Sequence, residues 1–141
     1  MKLILSSLMF AVFALFLIGS SGESDTSDED KEKVKNAKGI SVSAKALGAE
    51  LKANSVNFMT KYKDKVLLVS GTVEGFSTGM TDDDVIVKIK AGSYKVIRCA
   101  MDKDQKSAVS KKSKGDQITI KGICTGESFG DPKLKGGRIV N

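Results

Sequence analysis

The stretch VLLVSGTV, Val66–Val73, constrains the fold more than any other in this chain. Its residues are apolar and partly β-branched, which suits a pleated, half-buried strand. Gly71 sits inside it, although glycine weakens a strand by entropy and offers no side chain to pack. A strand that carries such a residue is expected to bend sharply there.

Four further runs read as strands. Asp84–Lys90 alternates, with Val85, Val87 and Ile89 on one face and Ile86, Lys88 and Lys90 on the other. Tyr94–Met101 sets Ile97, Cys99 and Met101 against Tyr94, Val96 and Arg98, and Gln117–Cys124 gathers Ile118, Ile120, Gly122 and Cys124. Leu134–Val140 is a weaker last strand, loosened by Gly136 and Gly137. Between the third and fourth runs, DKDQKSAVSKKSKGD reads as a short polar helix ending near Gly115.

Upstream, Ser43–Lys61 has helical periodicity, with Ser43 as N-cap and Ala44, Leu47, Leu51, Phe58 and Tyr62 on one stripe. Asn54 falls on that stripe and is expected to bond a backbone group of the neighbouring strand. The order of helix, three strands, short helix and two strands predicts a mainly β fold. It is that of the five-stranded OB-fold barrel, with an N-terminal helix and a short helix between strands three and four. The first strand of such a barrel turns a corner between its two sheets, which places Gly71 at that corner.

The N-terminus is organised differently. Lys2, the apolar run Leu3–Ile18 and the small residues Gly19–Gly22 have the layout of a cleaved signal peptide over residues 1–22. An uncleaved signal anchor is the alternative. Ser20 stands where a lipoprotein signal would need cysteine, so no thiol is there to acylate. The mature chain is therefore expected to be exported, periplasmic or secreted, without lipidation or stable membrane insertion. Residues 23–38 are rich in charge and read as a disordered acidic linker, because they cannot bury enough apolar surface to offset ordering. Residues 39–141 form the predicted domain.

That linker masks the domain's charge. Without Lys2 and the five acids of residues 23–30, there remain 22 basic and 12 acidic residues, a net +10. Such a balance favours an anionic or polar ligand, nucleic acid among them, or an acidic protein partner. The chain has no histidine, which removes the commonest general base and transition-metal ligand. It also lacks a phosphate loop, a nucleophile elbow and a Cys-x-x-Cys pair. The acids of TGMTDDDV lack the spacing of a calcium loop. The expectation is a non-catalytic binding module with no metal and no cofactor.

OB-folds bind ligands on the outer face of the second and third strands and on the loops after the first and fourth. Lys88, Lys90, Tyr94 and Arg98 map to that face, and Phe76 and Phe129 to those loops. Basic residues beside stacking aromatics suit single-stranded nucleic acid, and an envelope protein-interaction module is the other class. Cys99 and Cys124 both fall on inward faces. They form either a disulfide across the barrel or two buried thiols.

Several motifs occur in a characteristic order: Ala44-x-x-Leu47, Asn54, Tyr62-x-x-Lys65, Val69-x-Gly71-x-Val73, Val96-x-x-Cys99 and Lys121-Gly122-x-Cys124-x-Gly126. Over residues 40–140 the chain thereby resembles the tRNA_anti-like family of small exported bacterial OB-fold proteins. The resemblance implies the fold. It departs from the family in lacking the lipid-accepting cysteine, and in having Gly136 and Gly137 where members often carry a further cysteine.

Overall fold

The computed structural model describes residues 27–140. The expected signal segment lies outside them. The described chain begins with α1 (Asp28–Asn36), β1 (Ile40–Ser43), α2 (Ala44–Ala53) and α3 (Ser55–Tyr62). There follow β2 (Val66–Thr78), β3 (Val85–Lys90) and β4 (Val96–Met101), then a 3-10 turn, Lys103–Gln105, leading into α4 (Lys106–Ser110). The hairpin of β5 (Gln117–Ser128) and β6 (Asp131–Ile139) completes it.

The sheet runs β1-β2-β3-β4-β6-β5 and closes through β2 against β5, so β2 to β6 form a five-stranded barrel. Within it only β4 and β6 are parallel, and β1 adds to β2 in parallel. This is the OB-fold. Inward residues alternate as the strand period requires: Val87 and Ile89, Ile97 and Cys99, and Ile118 and Ile120 are all buried. Leu47, Phe58 and Tyr62 fill the core from the helices, where Tyr62 also bonds Glu50 and so ties α3 to α2.

The place of Gly71 follows from this closure. The first half of β2 pairs with β1 and β5, and from Val73 onward it pairs with β3, with a bulge between Val73 and Gly75. At the changeover Gly71 faces inward. A Cβ there would lie 2.5 Å from Ile89 Cγ2 and 3.0 Å from Ala44 Cβ. The corner is so tightly filled that only hydrogen fits.

Two expectations need correction, and one open alternative is decided. The helix over 43–61 is two helices, with Asn54 at the break. Its extended backbone (φ −162°) ends α2, and its side chain accepts from Asn57 N at 2.9 Å to start α3. Asn54 therefore caps a helix and does not serve a strand. The stretch 23–38 is not all linker, because Ser27 caps α1 and Val34 is fully buried against Val66 and Ile123. One apolar side chain is enough because Lys135 also reaches Asp30 at 2.8 Å and Lys33 reaches the Asp64 carbonyl at 2.9 Å. Finally, Cys99 and Cys124 are not bridged. They sit on β4 and β5 with β6 between them, and both thiols are free and buried.

Candidate functional site

Among the described residues no helix crosses the outer face of β3 and β4. α1 lies against β5 and β6, and α2 meets β3 at the barrel end, where Gly48 touches Ala91. The face is open to a ligand.

Register decides what it presents. Gly75 pairs with Lys88, Lys88 with Arg98, and Arg98 with Lys133, so four strands place one row across the outer face. Directly opposed side chains stand about 5 Å apart, and like charges so placed destabilise a sheet. Lys88, Arg98 and Lys133 are such a row. Asp131 offsets it in part, accepting from Arg98 Nε at 3.3 Å and from Val96 N at 3.4 Å. The terminal guanidinium nitrogens of Arg98 keep their donors.

Phe129 stands beside this row. Ser128 pairs with Asp131, so Phe129 and Gly130 form a two-residue hairpin turn with φ of 53° and 82°. Both angles are left-handed, as in the type I′ turn, where asparagine or glycine is favoured and a bulky side chain is unusual. Glu127 braces the turn by accepting from Gly130 N at 2.8 Å. The ring is 98% exposed. With Ile86, Arg98, Ala100, Ser128 and Lys133 it lines a cleft of about 280 Å³.

The expected site residues are thus only partly brought together. Arg98 and Phe129 line one cleft, and Lys88 adjoins it in the same row. Tyr94 is not on the strand, because β4 starts at Val96 and Tyr94 stands 98% exposed in the β3–β4 turn. Phe76 lies within β2, which runs on past the expected end to Thr78, and is not in a loop. Lys90 ends β3 and opens on a different cleft. Lys133 was missed: it precedes the expected last strand and follows Pro132, a residue that argues against strand.

Two of the three acids of the β2–β3 loop have partners within the chain. Asp84 accepts from Thr81 N at 3.2 Å, and Asp83 pairs with Lys106 at 3.2 Å. Among the described residues no cluster of carboxylates, cysteines or histidines is arranged to hold a metal ion. No described helix is long and apolar enough to cross a membrane.

The closed five-stranded barrel, with a basic, aromatic-edged outer face, is an OB-fold. The family model described as tRNA_anti-like matches residues 1–136, and the chain belongs to that family. Among solved structures it is similar to one from Klebsiella pneumoniae subsp. pneumoniae described as a "putative nucleic acid-binding lipoprotein". The identity is 17% and the TM-score 0.62, over 73% of this chain and 92% of that one. Asparaginyl-tRNA synthetase from Pyrococcus horikoshii matches at 11% identity and TM-score 0.45, over 57% of this chain and 21% of that one. No curated protein matches this chain.

Proposed function

We propose that this protein is an exported, non-catalytic module that binds single-stranded nucleic acid on the outer face of β3, β4 and β6. One observation carries the reading: three cations stand in a single cross-strand row, Lys88, Arg98 and Lys133, beside the exposed ring of Phe129. A row of like charges weakens the sheet it sits on, which is understandable where a polyanion is to be neutralised. The neighbouring ring supplies a stacking surface, and stacking is indifferent to base identity. The Klebsiella pneumoniae protein of the same fold is described as nucleic acid-binding, which agrees with this reading.

The full-length chain, titrated with a fluorescent single-stranded oligonucleotide, tests it. Three phosphate contacts predict a slope of about −2 for log affinity against log salt. Arg98→Gln is expected to flatten that slope, and Phe129→Asn to weaken binding by about 5- to 150-fold, the value of one stacked base. Absence of saturable, salt-dependent binding would overturn the reading and leave the face to a protein partner.

A further inference from the structure

A second cleft, of about 510 Å³, opens between the β1–α2 junction, the middle of β2 and the β3–β4 turn. Ser43, Lys45, Ser70, Thr72, Lys90 and Ser93 are among the residues that line it, and none is a carboxylate. It lies toward the opposite end of β3 from Ile86, and so apart from the Phe129 cleft.

Its chemistry is one-sided. Lys45 and Lys90 make no ion pair among the described residues. Ser43 Oγ already accepts from Ala46 N at 3.0 Å, and Thr72 Oγ1 accepts from Gln117 Nε2 at 2.7 Å. A hydroxyl that is accepting still has its own hydrogen to donate. Two lysines without an ion pair and four hydroxyl-bearing residues therefore line one cavity with no carboxylate among them.

We infer that this cleft binds a phosphate monoester. Its phosphate sits between Lys45 and Lys90 and accepts from the hydroxyls of Ser43 and Thr72. Phosphate oxygens at neutral pH are strong acceptors carrying nearly two charges, which complements a set made of donors and cations. The volume falls within the small-molecule range of about 300–1,000 Å³, and a bare phosphate would fill little of it. The remaining space takes the esterified group. The inference stands on this cleft alone and does not depend on the outer face binding nucleic acid.

Heteronuclear NMR of the full-length chain, titrated with inorganic phosphate, provides the test. Saturable amide shifts are expected at Ser43, Gly71, Thr72 and Ser93, with none when chloride is added to the same ionic strength. The double variant K45M/K90M should lose at least about tenfold in affinity, the worth of one charge-assisted contact. Both lysines are exposed, so the variant's own spectrum reports whether it folds. Phe129→Asn should leave the phosphate shifts untouched, which separates this site from the outer face. Shifts equal in chloride, spread over all lysines or unchanged in K45M/K90M would overturn the inference. Ribose 5-phosphate and a 5′-phosphorylated oligonucleotide then distinguish a free sugar phosphate from a nucleic-acid end, by which of the two binds tighter than inorganic phosphate.

Discussion

Cys99 and Cys124 flank the same residue: each is the direct cross-strand partner of Leu134, one from β4 and the other from β5. Two strand spacings of about 4.8 Å put their Cα atoms roughly 10 Å apart, beyond the roughly 7 Å a disulfide spans. Leu134, 1% exposed, fills the space between them. Burial pushes both thiols above their ordinary pKa, Cys99 far above it, which disfavours the thiolate at either. A thiol reagent is expected to label neither cysteine in the native protein and both in denaturant, and added reductant should leave the melting temperature unchanged. A bridged peptide in mass spectrometry would contradict this.

The hairpin at Phe129 carries opposite demands of stability and binding. A bulky residue in left-handed backbone costs about 1 kcal/mol or more, and asparagine relieves much of that. Phe129→Asn should therefore raise unfolding stability by about 1 kcal/mol in denaturant titration while it weakens oligonucleotide binding. A variant that gained neither stability nor a binding defect would count against a functional reason for the ring.

Gly71→Ala should destabilise the barrel by about 1–3 kcal/mol, the usual cost of overpacking. The added methyl meets Ile89 Cγ2 at 2.5 Å, and both lie in the core. Ile89→Ala is destabilising alone, yet it should absorb part of the Gly71→Ala penalty. Denaturant melts of the two single variants and the double variant would reveal that non-additivity.

Acid should loosen α1. Burial works against charge on Asp30, but the hydrogen bond and charge of Lys135 prevail and hold its pKa below the ordinary 3.8. A carboxylate with a lowered folded pKa stabilises the fold fully above its unfolded value, and that contribution fades as pH falls through the folded one. The loss thus begins near pH 4 and deepens below it. Glu50, lowered by hydrogen bonds from Lys61 and then Tyr62, acts in the same direction. The protection factors of α1 amides, corrected for the intrinsic pH dependence of exchange, should fall on acidification in the native chain, and Asp30→Asn should remove much of that pH dependence.

Val34→Ala tests the same helix from its apolar side. Removing two methyl groups from a fully buried site costs about 2 kcal/mol. The loss should appear as faster exchange in α1 and little change in the barrel strands.

The barrel was legible where side chains alternate. Val87, Ile89, Ile97, Cys99, Ile118 and Ile120 all point inward as their spacing requires. What escaped has no period to read. β1 has four residues of mostly exposed pattern and exists because β2 offers it an edge. α1 hides one buried valine in a run of charge, and its partners Val66 and Ile123 lie on the face that alternation assigns to solvent. Of the candidate site, Arg98 and Phe129 were individually readable. Their meeting was not, because it depends on the parallel pairing of β4 with β6, which no local pattern announces. Lys133 shares that difficulty.

The closure of the ring also sets an order of assembly. Leu67 pairs with Gly122, and Cys99 with Leu134, whereas the β2–β3, β3–β4 and β5–β6 contacts join neighbours in the chain. Loop entropy makes the distant pairings the late and slow ones. Until β5 and β6 have been synthesised, the apolar side of β2, β3 and β4 has only α2 and α3 to pack against and cannot close into a ring. The chain is thereby kept open through most of its own making, and shortening it from the C-terminal end removes the step that makes it a barrel.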